Sequence, residues 1–409
     1  MIKAVLLDLD DTLVISQTAR MFPAYLEALG GYGKDLAPPE HVAGLIMESY
    51  IASLAEYAPA RTLVERFFEK FLTGLNSSDE SLRLFFDQFY ADYYPLLVSQ
   101  FVTPQPSAPE TVNWLRDHGY KVVVATNPGL PEVATLQRLE QGGLSHTGFD
   151  LITTLETMHF GKPQPEYYAE ILLRLDVEPG EAIMIGDDWE KDIVPALHAG
   201  LSAYWLTTEP NDGVGRSSLV DGYGSFTEFA ARAKAGWLAT LRPHSLGYEM
   251  YLPLMAALPA GISALIEPYA AEILECKPGD HEWSARDIIC HLRDHDGEED
   301  KIRLERILNE DRPFLSGNYD PWKHAIEYGG TPAQVALDQF VHYRGEMVRW
   351  LRGLPAEAWS RPARHAIFGP TSFEEMVRFT TEHDRTHLRQ MRAAINNAVL
   401  VCGPVRPPI

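Results

Sequence analysis

The apolar run Ala4-Val5-Leu6-Leu7 ends in Asp8-Leu9-Asp10-Asp11-Thr12, which crowds carboxylates onto the end of a short hydrophobic segment. Crowded carboxylates repel one another and desolvate poorly, so packing alone gives no reason to gather them. A hard divalent cation such as Mg²⁺ would relieve the repulsion, because it prefers oxygen ligands. Further along, Lys121-Val122-Val123-Val124-Ala125 ends at Thr126-Asn127-Pro128, where a hydroxyl and an amide can hydrogen-bond an anionic oxygen. Lys162 follows in Phe160-Gly161-Lys162-Pro163-Gln164-Pro165, a loop from which an ammonium can reach a dianion. Ala182-Ile183-Met184-Ile185 then ends at Gly186-Asp187-Asp188, with Asp192 close behind. Paired carboxylates, a cation, small donors and metal-holding acids are the parts of a phosphoryl-transfer site. Each has a plainer reading: Thr126 as a helix cap, Lys162 as a surface charge, Asp187 as a turn residue. Their order, with three of the pieces closing β-rich apolar runs, argues for the joint reading.

Such runs read as central strands of a parallel sheet, buried on both faces. Chemistry in these sheets gathers at the carboxyl ends of the strands, which is where the polar residues fall. Between Asp8 and Thr126, residues 18 to about 99 carry apolar side chains at three- and four-residue spacing and read as helical. Their aromatic stripe, including Phe67, Phe68, Phe71, Phe86 and Tyr90, can be a ligand-facing wall. More simply, it is the packing core of the helices themselves. Residues 203–207 read as a last strand and residues 209–218 as a turn-rich loop. Ser225 or Thr227 then caps a terminal helix.

The four motifs, Asp8/Asp10/Thr12, Thr126, Lys162 and Asp187 with Asp192, resemble those of the haloacid-dehalogenase-like (HAD) hydrolase superfamily in its phosphatase branch. The resemblance implies an α/β domain over residues 1–240. It comprises a Rossmann-like parallel-sheet core (1–17 and 100–240) and an inserted helical cap (about 18–99) that closes over the site. It implies Asp8 as the nucleophile that takes up the phosphoryl group, and Asp10 as acid to the leaving oxygen and then base to water. Thr126 and Lys162 would hold the phosphoryl group, with Thr12 and Asn127 beside them. Mg²⁺ would be held by Asp8, Asp187 and the backbone carbonyl of Asp10, and Asp192 or Asp188 would orient its water. Dehalogenase members lack the second Asp, so Asp10 argues for phosphate chemistry. A phosphonate-cleaving variant would need a Schiff-base lysine in the cap, and neither Lys34 nor Lys70 has a persuasive setting.

The remaining residues are enough for a second core, with a boundary expected near Leu241-Arg242-Pro243. Residues 241–398 read as all-α: a hydrophobic helix over about 249–273 interrupted near Pro259, a helix opened by Ser284 with Asp287, one opened by Thr331-Pro332, and one opened by Ser372 with Glu375. Residues 399–409 read as a tail. His383 and His387 are spaced i, i+4 and so share one helix face. His291 lies on an otherwise apolar stretch and needs a partner, with His295 as a competing candidate. Trp283-Ser284 leading to His291-Leu292-x-Asp294, and His383-Asp384-x-x-His387-Leu388-x-Gln390, resemble the DinB-like metal-binding four-helix bundles. That resemblance implies a divalent metal, Zn²⁺ or Ni²⁺, on His291, His383 and His387. Three protein ligands would leave positions open for chemistry. Arg344 and Asp384 can line that site or serve structurally.

A formal charge of −22 argues against nucleic acid or an anionic membrane as partner. No stretch reads as a signal segment or a membrane span, and Cys276, Cys290 and Cys402 show no paired spacing, so a cytoplasmic enzyme without a disulfide framework is expected. The expected partner is a small phosphorylated metabolite. Three functions fit. The first is a Mg²⁺-dependent phosphatase of small monoesters. The second is a metal-dependent thiol transferase or hydrolase in the bundle. The third makes the bundle a binding module, with a homodimer through it.

Overall fold

The computed structural model describes residues 1–77, 82–209, 215–244, 247–279, 281–316, 328 and 330–403. The middle of the loop expected at 209–218 and the last six residues of the expected tail lie outside the described residues. The chain divides into two compact units, Met1–Tyr57 with Arg61–Ser245, and Ala58–Ala60 with Leu246–Ile409.

The first unit contains β1 (Ala4–Leu7), β2 (Val14–Ser16), β3 (Val102–Pro104), β4 (Lys121–Val124), β5 (Leu151–Ile152), β6 (Ala182–Gly186), β7 (Ser202–Leu206) and β8 (Gly222–Gly224). Six of these form one parallel sheet in the order β5-β4-β1-β6-β7-β8. Every residue of β1, β6 and β7 is buried, which accounts for their largely apolar sequence. The strand after Ala203 is not the last, because β8 adds at the edge before the final helix, Phe226–Lys234. Ser225, rather than Thr227, caps that helix, in a reciprocal box with Glu228.

Strand order reverses at β1, which leaves a crevice at the carboxyl ends of β4, β1 and β6. Leu7 is level with both Val124 and Ile185, so the residues that follow each strand emerge side by side. β2 and β3 pair antiparallel as a separate ribbon, and the described residues between them form the helices Thr18–Tyr32, Pro39–Ala55, Leu63–Gly74, Leu82–Asp92 and Tyr94–Phe101. Phe71 and Phe86 meet edge to face inside this cap, with ring centroids 5.2 Å apart. Arg66 is buried in the cap and donates to the carbonyls of Ser53 at 2.7 Å, Glu56 at 2.6 Å and His159 of the core, so one guanidinium joins the cap to the loop that leads to Lys162.

The second unit is a bundle of Tyr251–Ile266, Ala285–Asp294 continued by Lys301–Asn309, Ala333–Arg352 and Phe373–Cys402. Four features differ from the sequence expectations. The first helix is not interrupted at Pro259. Proline removes the N–H that would bond the carbonyl four residues back, that of Met255, and Arg344 Nη1 donates to this oxygen instead at 3.2 Å. The unit is not purely helical, since β9 (Phe314–Leu315), β10 (Pro362–His365) and β11 (Gly369–Ser372) form a small sheet. Cys276 and Cys402, 126 residues apart in sequence, are joined in a disulfide, and the helix carrying Cys402 runs past the expected start of the tail. Finally, the stretch Tyr248–Ile266 is long and apolar enough by length and composition to cross a membrane, yet 67% of it is buried within the unit. Its apolarity belongs to the core that Leu252, Met255 and Ala256 form with Val348, Leu351 and Phe373.

Candidate active site and metal centre

Asp8 leaves the end of β1 with its backbone N–H on the carbonyl of Ile185 at 3.0 Å. Its carboxylate accepts from Lys162 Nζ at 2.7 Å, and the same ammonium reaches Asp192 Oδ1 at 2.5 Å. Carboxylate oxygens of Asp8, Asp187 and Asp192 lie within 4.8 Å of one another. Burial, only partly offset by Lys162, raises the Asp8 pKa well above its ordinary value. Burial and then the charge of Asp192 push Asp187 up to about 7. Three carboxylates around a single ammonium leave excess negative charge in a buried place, and a hard divalent cation with oxygen ligands fits that excess.

Asp192 sits in a π-helical turn, Trp189–Ile193, directly after β6. It packs so closely on the strand end that a Cβ at Gly186 would lie 2.2 Å from its Oδ2, so only glycine fits there. Asp188 is engaged differently. It accepts from the backbone N–H groups of Glu190 and Lys191 at 3.0 Å and pairs with Lys191 Nζ at 2.6 Å. The two acids left equivalent by sequence are therefore separated by structure, with Asp192 at the Lys162 centre and Asp188 capping the turn.

Asp10 carries two other contacts: Ser16 Oγ donates to Oδ1 at 2.6 Å, and Arg138 Nη1 to Oδ2 at 2.5 Å. Thr126 follows β4 by two residues, and its carbonyl accepts from Tyr167 at 2.8 Å and Thr153 at 2.8 Å. Asn127 Oδ1 accepts from the cap residue Tyr50 at 3.1 Å. Asp8, Asp10, Thr126, Asn127, Lys162, Asp187 and Asp192 all line one cavity of about 730 Å³ between core and cap. Thr12 is wholly buried and is not part of that wall, and neither Lys34 nor Lys70 reaches it.

In the second unit, Nε2 of His383 lies 3.1 Å from Nε2 of His291 and 3.1 Å from Nε2 of His387. Nitrogens about 2.0–2.1 Å from one tetrahedral Zn²⁺ stand roughly 3.3 Å apart, so the donor set fits a shared divalent ion. Burial and then the neighbouring His295 push His383 down to about 2, and burial pushes His387 down to about 4, which favours the neutral imidazoles that ligate metals. Gln390 Oε1 holds Nδ1 of His387 at 2.8 Å, while Nδ1 of His383 is buried without a hydrogen-bond partner. His295, the competing candidate, is paired with Asp300 at 3.1 Å inside a π-helical turn, His295–Asp300. Arg344 does not line the centre. It is fully buried and forks onto Asp296 at 2.6 and 2.9 Å and Asp384 at 2.6 and 3.0 Å.

A family model of haloacid dehalogenase-like hydrolases matches residues 2–200, and one of the DinB superfamily matches residues 255–391. Pyrophosphatase PpaX of Bacillus cereus (strain Q1) is 29% identical over 202 residues, 49% of this chain and 80% of that protein. PpaX of Bacillus thuringiensis (strain Al Hakam) is 30% identical over 167 residues, 38% of this chain and 72% of its own length. The chain belongs to the haloacid dehalogenase-like hydrolases. Among solved structures, the HAD phosphatase from Thermococcus onnurineus is 22% identical, covering 57% of this hydrolase and 98% of that chain with a TM-score of 0.38. YfiT from Bacillus subtilis, a four-helix bundle of unusual topology, is 19% identical and covers 38% of this hydrolase and 88% of its own chain with a TM-score of 0.33. The hydrolase is thus a phosphatase-branch enzyme that carries a DinB-superfamily domain.

Sequence reasoning about the hydrolase missed Arg138. It lies on the helix Glu132–Gln141, whose buried face also holds Ala134, Thr135 and Leu139. A guanidinium one turn from Ala134 on a buried face needs a carboxylate partner, and that was the available signal.

Proposed function

We propose that the N-terminal domain is a Mg²⁺-dependent phosphatase that hydrolyses a phosphate monoester of a small metabolite through a phosphoryl group carried on Asp8. The observation that carries the reading is the Asp8–Lys162–Asp192 chain at the strand ends, with Asp187 in reach of the same point. Asp8 attacks phosphorus, forming an O–P bond as the bond to the leaving oxygen breaks. Asp10 gives that oxygen a proton and later takes one from the attacking water. Lys162 and the groups at Thr126 and Asn127 hold the phosphoryl oxygens while their charge redistributes. Asp8, Asp187 and Asp192 would hold Mg²⁺, which supplies charge neutralisation at those oxygens. The cap helices exclude bulk water from the cavity during both displacements.

Phosphate release by the full chain, with Mg²⁺ and a panel of phosphate monoesters, tests the reading against Asp8→Asn. Turnover that the substitution abolishes while the protein stays folded supports it. Equal turnover in both proteins, or no release from any ester, refutes it.

A second centre is favoured by the three converging imidazole nitrogens. His291, His383 and His387 hold a divalent metal, Zn²⁺ or Ni²⁺, with positions left open for hydrolytic or thiol-dependent chemistry in the bundle. Metal analysis of the purified chain should find the ion in the parent protein and lose it when His383 and His387 are both replaced by Ala. Unchanged metal content would sink this assignment. The acidic chain suits neither nucleic acid nor an anionic membrane as partner, and the Cys276–Cys402 disulfide removes one of the grounds for expecting the cytoplasm.

A further inference from the structure

We propose that the alcohol released by the phosphatase is apolar, a ring- or chain-bearing group, rather than a small acid or a second phosphate. The inference rests on the phosphatase reading and specifies its substrate. The cavity above Asp8 measures about 730 Å³. Pockets of about 300–1,000 Å³ enclose drug-sized ligands, so this one far exceeds a lone phosphoryl group.

The cap side of that wall is aromatic: Phe22, Tyr25, Phe67, Phe68, Phe86 and Tyr90 all face it. The aromatic stripe of the cap therefore serves twice. Phe71 and Phe89 are fully buried within the cap and are absent from the cavity wall, whereas their helix neighbours Phe67 and Phe86 line it. Tyr25 and Tyr90 satisfy one another at 2.7 Å, so they present ring surface more than free hydroxyls.

The wall's charges point the same way. Lys162 is taken up by Asp8 and Asp192, Arg138 by Asp10, and Lys191 by Asp188. The remaining cation of the wall, Arg83, lies over the Phe68 ring at 4.5 Å and shares the wall with Asp87 and Glu156. Away from the reacting carboxylates, one guanidinium thus stands against two acids, a poor setting for a second anionic group. A large apolar leaving group satisfies volume, surface and charge together. Pyrophosphate would leave the aromatic wall unused and place its second phosphate among carboxylates.

The test is kcat/KM of the full chain with Mg²⁺ on butyl, hexyl and octyl phosphate, phenyl and 1-naphthyl phosphate, phosphoglycolate and pyrophosphate, with Asp8→Asn as blank. Burying each added methylene should raise kcat/KM roughly fourfold until the cavity is filled. Naphthyl should exceed phenyl, and both small polar substrates should fall below octyl phosphate. Phe22 is 44% exposed, so Phe22→Ser removes wall without opening the cap's core. It should lower the octyl-to-butyl ratio. A flat or falling alkyl series with Asp8-dependent turnover, or a preference for phosphoglycolate or pyrophosphate, overturns this proposal and leaves the phosphatase reading standing. No Asp8-dependent release from any of the compounds takes both down.

Discussion

Arg138 sets its Nη1 atom 2.5 Å from Oδ2 of Asp10, so the carboxylate proposed to move the proton is fixed by a buried guanidinium from the neighbouring helix. Ser16 holds the other oxygen at 2.6 Å, and together they define the plane of the Asp10 carboxylate. Arg138 acts through Asp10, as a positioning residue. Arg138→Met should lower kcat by roughly 10- to 100-fold with a smaller change in KM, the scale expected when a reacting group is misplaced by about 1 Å. Arg138→Lys, which restores the charge but not the planar guanidinium, should recover part of it. Steady-state kinetics beside a circular dichroism melt distinguish this from unfolding. A variant as stable as the parent with unchanged kcat would remove Arg138 from the mechanism.

Lys162 neutralises Asp8 and Asp192 in a site where all three side chains are nearly excluded from water. Lys162→Gln should cost roughly 10²- to 10³-fold in kcat, as removal of a donor to developing charge does elsewhere. It should also leave the fold more dependent on divalent cation, because the acids lose the ammonium that bonds them. Calorimetric melts with Mg²⁺ and with EDTA check this. The interval between the two melting temperatures widens in the variant if the account is right and is unchanged if Lys162 carries no such charge.

Cation binding should itself stabilise the parent protein. Mg²⁺ at about 100 times its dissociation constant adds about 2.7 kcal/mol to the state that binds it. Asp187→Asn should abolish this gain, since Asp187 is one of the three acids clustered there. An equal gain in the variant would mean that the ion binds elsewhere.

In the bundle, Arg344 forks onto Asp296 and Asp384 and caps the carbonyl freed by Pro259. Removing one partner of a buried ion pair costs about 3–5 kcal/mol, because the other charges stay buried unpaired. Arg344→Met should lower the bundle's stability on that scale, read as a loss of cooperative urea unfolding in that domain. A shift under about 1 kcal/mol would show that the acids find other partners.

The Cys276–Cys402 disulfide ties the last turn of the long terminal helix to the end of the short helix Ala271–Glu275. Disulfides typically contribute about 2–4 kcal/mol. Cys402→Ser should lower the melting temperature of the bundle, and titration of free thiols in urea should find one Cys in the parent and two in the variant. Three free thiols in the unreduced parent would contradict the bond.

Local pattern exposed most of the catalytic half of this molecule. β1, β4 and β6 are short, apolar but for Lys121 at the start of β4, and followed by polar residues, so strand, burial and site coincide in one stretch of sequence. The shared helix face of His383 and His387 was legible from their i, i+4 spacing, while pattern alone left His291 and His295 open as their third partner. What escaped was set by contacts between distant residues. Arg138 has meaning only beside Asp10, 128 residues away, and Cys276 only beside Cys402. Pro259 read as an interruption because its remedy, Arg344, lies on another helix. The division of the cap's aromatics into core and cavity wall also depends on which helix face meets the sheet, and period alone does not specify that.

The central claim is that Asp8 carries the phosphoryl group. The direct measurement is acid quenching of the enzyme during turnover of an ester it accepts, followed by peptide mapping by mass spectrometry. The account predicts a phosphoryl adduct on the peptide containing Asp8, absent from Asp8→Asn. Turnover with no adduct, or an adduct on another residue that persists in Asp8→Asn, would contradict it.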